Sequence, residues 1–476
     1  MNRGKFMKRM RKACLSVMCI IWLLLQCVCV PATAVQSDPV VANGSQTVDA
    51  VKALESQQKL AETAKAVMVF ERNSGTMVYN WNPDGKIYPA SMVKLMTALV
   101  ALDTDISQKV TVTPSTLNRV PAGALRMGLA AGEELTLEQL LYCMMVASAN
   151  DAAMVIAYHV AGSQEAFVAR MNEKARELGC TGTHFSNVHG LHEEETYTTA
   201  RDVCRILLAG LEDPRFETMF TTAKYTIPAT NLSKERTIRT TNNMMLTTSW
   251  DYYDKRVTGG RTGSTDAAGR CIAVTAEAGG MELVCVLMGA EPTYSEDKQV
   301  VLRFGSFEEM SEILDYVFDG YALYQLAAQG QIVTQMEVEN GANHVAVQPE
   351  NSVLTVLPAD IDLYTLRWDF VSDNLTAPVE AGQEAGAVQI WHGDICVGQT
   401  NLITANSVEV ETTLVMPKRP SELDGRGSWK ILLIVVAAIA GVAVIVMLFS
   451  AAPKIIRKIK VKNMRRRRRK NRRRAR

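Results

Sequence analysis

The apolar positions of this chain form strand-length runs at both ends of its middle region and helically spaced runs between them. Ala66 to Glu71 and Thr76 to Trp81 flank the turn signal Asn73-Ser74-Gly75, which is the pattern of a β-hairpin. The stretch Tyr88-Pro-Ala-Ser91-Met-Val-Lys94-Leu-Met-Thr-Ala-Leu-Val-Ala-Leu102 follows, with Lys94 as its one charged side chain. Pro89 suits a turn or first helical turn and the residues from Ser91 onward are compatible with helix, so Ser91 falls at or near a helix N-terminus. After a strand-like Val110 to Val112, Thr136 can cap a nearly continuous apolar helix from Leu137 to Ala147, which ends at Ser148-Ala149-Asn150. Further helices are expected from Asp151 to Val160, from Ser163 as cap to about Leu178, and from Thr199 as cap to about Gly210.

Strand signals then return. Val257 leads into Gly-Gly-Arg261-Thr262-Gly263-Ser264-Thr265, and apolar runs at Cys271 to Ala278 and Met281 to Met288 surround Gly279-Gly280, which reads as an antiparallel hairpin. Residues 306 to 328 are expected to form one long helix, with Ser306 as its cap and Glu308 and Glu309 in its first turn. Strands flanking a helical middle argue for a mixed α/β (α+β) domain over residues 61–329, with an antiparallel sheet that pairs its own N- and C-terminal segments. From 330 to 418 the pattern shortens to alternating strands at Thr334 to Val338, His344 to Val347, Leu354 to Leu357 and Ala387 to Trp391, a small all-β domain suited to a stalk or spacer.

The termini read differently. Residues 1–34 carry six basic residues, an apolar run from Ala13 to Val30 and Ala32-Thr33-Ala34, the layout of a secretory signal; the length of the run leaves an uncleaved anchor open. Residues 35–60 form a polar linker and 419–430 a second one. Residues 431–452 are 22 positions without a charge, long enough to cross a bilayer as a helix. The tail behind them, 453–476, holds 15 Lys or Arg and no acid, which places it in the cytoplasm and the middle of the chain outside. Removing those 15 cations and the six of the leader from a net charge of +1 leaves about −20 for the rest, which disfavours nucleic acid as a partner of that portion. The tail itself suits contact with anionic lipid. Six of the ten cysteines lie outside the leader, scattered among apolar neighbours without C-x-x-C spacing; buried thiols fit, and pairing of some stays open in an exported domain.

Ser91 and Lys94 lie one turn apart on an apolar helix, where desolvation would keep the amine neutral and able to act as base to a serine nucleophile. A solubilising lysine on a core helix is the other reading, and Ser295 and Lys298 repeat the spacing in a polar stretch. The chain adds Ser148-x-Asn150 and Arg261-Thr262-Gly263 in that order, each at a helix or strand junction. With Lys-Thr-Gly as the third member, this is the motif set of penicillin-binding proteins and class A β-lactamases. His184, His189 and His192 lie near Glu193 to Glu195, but there is no H-E-x-x-H, so neither a metal nor a cofactor is expected.

On these motifs the chain resembles the low-molecular-mass penicillin-binding proteins, serine D-alanyl-D-alanine carboxypeptidases of peptidase family S11. Phe185-Ser-Asn187-Val-His-Gly190-Leu191, Thr199-Ala200-Arg-Asp202 and, in the β domain, Leu375-Thr-Ala-Pro378 with Gly382 and Gly386 add to the likeness. The resemblance implies a β-lactamase/transpeptidase-like catalytic domain, a peptidoglycan stem peptide as substrate, β-lactam antibiotics as ligands and a C-terminal membrane anchor. It implies Ser91 as nucleophile, Lys94 as base, Ser148 as proton relay and Asn150 as the group orienting the substrate amide. Arg261 and Thr262 would hold the terminal carboxylate, and the backbone N–H groups of Ser91 and Ser264, beside Gly263, would form the oxyanion hole. Arg261 departs from the family's lysine: it can grip a carboxylate but cannot pass a proton. A wall-binding or scaffolding homologue with weak turnover therefore stays in view. A β-lactamase is a third reading, disfavoured because no Glu-x-x-Leu-Asn follows Asn150.

Overall fold

The computed structural model describes residues 59–296 and 301–411, with residues 434, 436 and 437. The expected signal, nearly all of the first linker, the second linker, the cytoplasmic tail and all but three positions of the 431–452 run lie outside the described residues. Among the described residues no helix is long and apolar enough to cross a membrane.

A five-stranded antiparallel sheet organises the first half. Its strands are β1 (Ala66–Glu71), β2 (Thr76–Trp81), β3 (Val257–Thr265), β4 (Gly269–Ala278) and β5 (Met281–Ala290), in the spatial order β2-β1-β5-β4-β3. The first two strands therefore pair with the last three across the helical middle. Side chains alternate across a strand, and here both faces are covered, so the central strands are apolar at nearly every position. In β1, Ala66, Met68 and Phe70 enter one core while Val67 and Val69 enter the other; in β5, Val284, Val286 and Met288 face the first and Leu283, Cys285 and Leu287 the second.

The first core holds the helices α1 (Val93–Ala101), α2 (Leu137–Ala147), α3 (Asn150–Ala161), α4 (Gln164–Glu177), α5 (Ala200–Leu211) and α6 (Pro214–Thr221). Their starts follow local chemistry. Thr136 and Gln139 form a reciprocal capping box at α2, and Ser163 and Thr199 accept backbone N–H groups at α4 and α5. α2 is buried on nearly every side, which explains its almost unbroken apolar sequence.

The second core is closed by α7 (Ser306–Gly320), and here the sequence expectation needs correcting. The helix stops at Gly320 rather than 328, and Ser306 is a buried first-turn residue preceded by Gly305, not a side-chain cap. Residues 321–327 form strand β6 (Tyr321–Ala327), which pairs with a strand of the β half. The reason is a change of period: Tyr321 and Leu323 pack into the second core, whereas Tyr324 and Leu326 pack into the core of the β half. The β half therefore starts at Tyr321, ahead of the expected boundary at 330.

The remaining strands are β7 (Thr334–Met336), β8 (Val345–Pro349), β9 (Val353–Pro358), β10 (Arg367–Ser372), β11 (Glu384–His392) and β12 (Ile395–Thr404). β6 pairs with β9, and the other five form a sheet in the order β7-β8-β12-β11-β10. β10 and β12 were not anticipated. Ser372-Asp373-Asn374 lies exposed at the end of β10. Among the described cysteines, Cys143, Cys180, Cys204, Cys271 and Cys285 are buried free thiols and Cys396 is exposed.

The chain entering β1 is tied to α7 by Glu309, which is 6% exposed and accepts hydrogen bonds from Thr63 N at 2.8 Å, Thr63 Oγ1 at 2.5 Å and Ala64 N at 3.0 Å. Glu309→Ala leaves those donors without a partner and is expected to cost about 2 to 4 kcal/mol, measured as a lower midpoint in urea unfolding; an unchanged midpoint would show that water replaces the carboxylate.

Candidate active site

The site lies where β3, at the edge of the sheet, meets the helical middle. Pro89 leads into a short 3₁₀ turn, Ala90–Met92, that runs directly into α1. Ala90 has φ of 47°, a left-handed conformation costly for a residue with a side chain, and Ser91 follows it partly open to solvent. Lys94 lies one turn on and is 0% exposed, with Nζ 2.9 Å from Ser91 Oγ. Its amine also donates to the His189 carbonyl at 2.5 Å. Burial, reinforced by the charge of Arg261, holds the Lys94 amine well below its ordinary range. The shift favours the neutral amine, the form that can take a proton.

Ser148 enters from the other side. It caps α2 in the left-handed conformation, φ 60°, which reverses the chain between α2 and α3 and brings its hydroxyl to 3.2 Å from Ser91 Oγ. Asn150, the first residue of α3, is 4% exposed; its N–H donates to the Leu125 carbonyl at 2.8 Å and its Oδ1 has no partner.

Arg261 turns into the protein interior. Its side chain is 1% exposed, and Nη1 donates to the Met145 carbonyl at 2.5 Å, Nη2 to Ser148 Oγ at 2.9 Å and Nε to the Ser91 carbonyl at 3.4 Å. The fork serves an unsatisfied carbonyl in the last turn of α2, where a cation is also favoured by the helix dipole. These bonds set the guanidinium beside the two serines. Desolvation brings the guanidinium down to about 9, so it stays charged at neutral pH.

The neighbouring motif residues face outward. Thr262 is half-buried with its hydroxyl 2.6 Å from that of Thr241, and Ser264 is exposed. Gly263 between them is a steric requirement: a Cβ there would lie 2.9 Å from the Ser91 nitrogen, so glycine lets the strand approach the nucleophile's backbone.

Supporting residues come from the loop at 187–190, which the sequence marked only as part of a family likeness and without a role. Gly190 has φ of 82°, and a Cβ on it would lie 1.9 Å from the Ala90 carbonyl oxygen. Asn187 shapes this loop by accepting from Gly190 N at 2.7 Å and donating to the Leu191 carbonyl at 3.0 Å, while Thr97 donates to the Val188 carbonyl at 2.8 Å. The loop thus sets the His189 carbonyl against Lys94; the legible signal was the Asn-x-x-Gly spacing. The His189 ring is neutral, pushed down to about 4 by burial and by Lys94, and its Nδ1 accepts from Leu191 N. The His184 ring meets the Glu195 carbonyl, and His192 lies edge-on to Tyr88. Among the described residues, no three His, Cys, Asp or Glu side chains are grouped to hold a metal.

A family model described as D-alanyl-D-alanine carboxypeptidase, peptidase S11, matches residues 52–292. The chain belongs to this family. A second model, the C-terminal domain of penicillin-binding protein 5, matches residues 321–410 of this S11 chain, beginning where β6 begins. The D-alanyl-D-alanine carboxypeptidase DacF of Bacillus subtilis is 30% identical over 335 residues, covering 69% of this chain and 82% of the relative. DacC of Escherichia coli is 30% identical over 360 residues, covering 73% and 84%. The crystal structure of penicillin binding protein 5 from Haemophilus influenzae shares the fold, with a TM-score of 0.60 at 24% identity, covering 73% of this chain and 98% of that one.

The depressed Lys94 amine makes stability pH-dependent in a definite direction. The unfolded lysine titrates near 10.5 and the folded one well below it, so between those values the unfolded chain binds the extra proton and stability rises with pH. Relative to Lys94→Met, the wild type should therefore gain up to about 1.4 kcal/mol per pH unit as pH rises through the alkaline range towards 10.5, read from denaturant unfolding of both proteins. Parallel pH slopes would show that the folded amine keeps its proton.

Proposed function

We propose that this S11 D-alanyl-D-alanine carboxypeptidase removes the terminal D-Ala from peptidoglycan pentapeptide stems through an acyl-enzyme on Ser91, and that it is a target of β-lactams. The observation that carries this reading is the fully buried Lys94 amine, its proton affinity lowered by that burial, 2.9 Å from a solvent-reachable serine hydroxyl. Ser91 Oγ bonds to the carbonyl carbon between the two D-alanines and gives its proton to Lys94. The oxygen charge that develops is taken by the N–H groups of Ser91 and Ser264, one such donor being worth about 3 kcal/mol. The C–N bond breaks as Ser148 passes a proton to the leaving amine and is resupplied from Lys94. Water then attacks the ester with Lys94 again as base, and the proton returns to Ser91.

Arg261 enters this scheme as a fixed donor rather than a relay. Because Ser148 Oγ accepts from the guanidinium, its own proton is directed to Ser91 Oγ, which aligns the relay. Its charge also disfavours protonated Lys94. With its donors committed beneath the site, recognition of the terminal carboxylate falls to the outward hydroxyls of Thr262, Thr241 and Ser264, while the unpartnered Asn150 Oδ1 awaits the substrate amide. The catalytic unit is placed outside the cell membrane, anchored by residues 431–452 with the basic tail inside against anionic lipid, on the strength of their composition.

Intact-mass measurement with penicillin, alongside D-Ala release from a muramyl pentapeptide, tests the scheme. The wild type should gain one penicillin and release D-Ala, and Ser91→Ala should do neither. An adduct without D-Ala release would favour the wall-binding reading, and fast catalytic hydrolysis of penicillin would favour a β-lactamase. Ser148→Ala, measured by kcat/KM for D-Ala release, should lose about 10²- to 10⁴-fold, the usual worth of a positioned proton-transfer group.

A further inference from the structure

Asp151 follows directly on Asn150 but has no part in the scheme above. Its carboxylate is 1% exposed and collects four backbone N–H groups: Oδ1 accepts from Met127 at 2.9 Å and Ala152 at 3.0 Å, and Oδ2 from Gly128 at 3.0 Å and Leu129 at 3.2 Å. Three of these come from an irregular segment between Pro121 and Ala130, whose residues are largely exposed. A carboxylate accepting several N–H groups makes charge-assisted bonds, stronger than neutral ones, so the segment is held mainly at this point. The same segment meets the catalytic region once more, where the Leu125 carbonyl accepts from Asn150 N. At this second tie, next to Asn150, the Leu125 side chain is an apolar group left 55% exposed.

We propose that Asp151 is a positioning residue and Leu125 a specificity-determining one. Asp151 fixes the segment so that Leu125 forms an apolar wall on the side of Asn150, and this wall receives the aliphatic side chain of the stem residue that precedes D-Ala-D-Ala. The inference rests on the proposed carboxypeptidase reading, because Asn150 marks the acyl-donor side only if it orients the substrate amide. A hydrophobic wall rewards a polymethylene chain and is indifferent to its absence, so the preference belongs to the acyl donor and not to the leaving D-alanine.

The test compares D-Ala release from diacetyl-L-Lys-D-Ala-D-Ala and acetyl-Gly-D-Ala-D-Ala, which differ on the acyl side by the side chain before the reacting alanine. The ratio of their kcat/KM values is the readout, since a merely structural defect lowers both together and leaves the ratio alone. The wild type should favour the lysyl peptide, and Leu125→Ala, an exposed substitution that leaves the core intact, should reduce the ratio about tenfold, the scale of one lost apolar contact. Asp151→Asn should reduce the ratio in the same sense, and Leu125→Met should retain most of it. A wild type that does not discriminate, or variants whose two rates fall in parallel, would overturn the proposal while leaving the carboxypeptidase reading intact. A wild type inert toward both peptides would overturn both.

Discussion

Two cationic side chains, Lys94 and Arg261, are withdrawn from water side by side beneath a surface serine. Removing charges from water is costly, and here the cost is resolved unequally. The guanidinium disperses its charge and is met by carbonyl and hydroxyl oxygens, so it stays protonated. The compact ammonium has less to gain, and its hold on the proton weakens. Burial does most of this, the charge of Arg261 adds to it, and the surrounding core keeps water from both groups.

The fold supplies that containment. Covering the sheet on both faces lets α1 sit wholly within a core, which buries Lys94 without a special pocket. β3 remains at the sheet's edge, paired with β4 on one side only. The crowding is steric as well as electrostatic: Gly190 and Gly263 press on the backbone at Ala90 and Ser91, where any side chain would collide.

Most of the catalytic half was legible because its elements announce themselves locally. Thr136, Ser163 and Thr199 mark helix starts, Gly279-Gly280 marks a hairpin, and the three short motifs fall at junctions of those elements. The direction of the Arg261 side chain was not legible, because it depends on an unsatisfied carbonyl at the end of α2, a feature of tertiary packing. The end of α7 was missed for a related reason. The run from Tyr321 to Ala327 is apolar on both alternating faces, and a strand buried between two cores has the same composition as a buried helix. β10 and β12 carry exposed apolar and polar residues in irregular mixture, and their pairing partners, not their own patterns, make them strands.

That misread strand carries a mechanical meaning. β6 contributes one face to the enzyme's interior and the other to the interior of the β half, so the two halves share a wall where a hinge would otherwise be. Turning one against the other would peel side chains out of both interiors at once. The β half is therefore joined to the enzyme half through a strand of seven residues that both interiors hold.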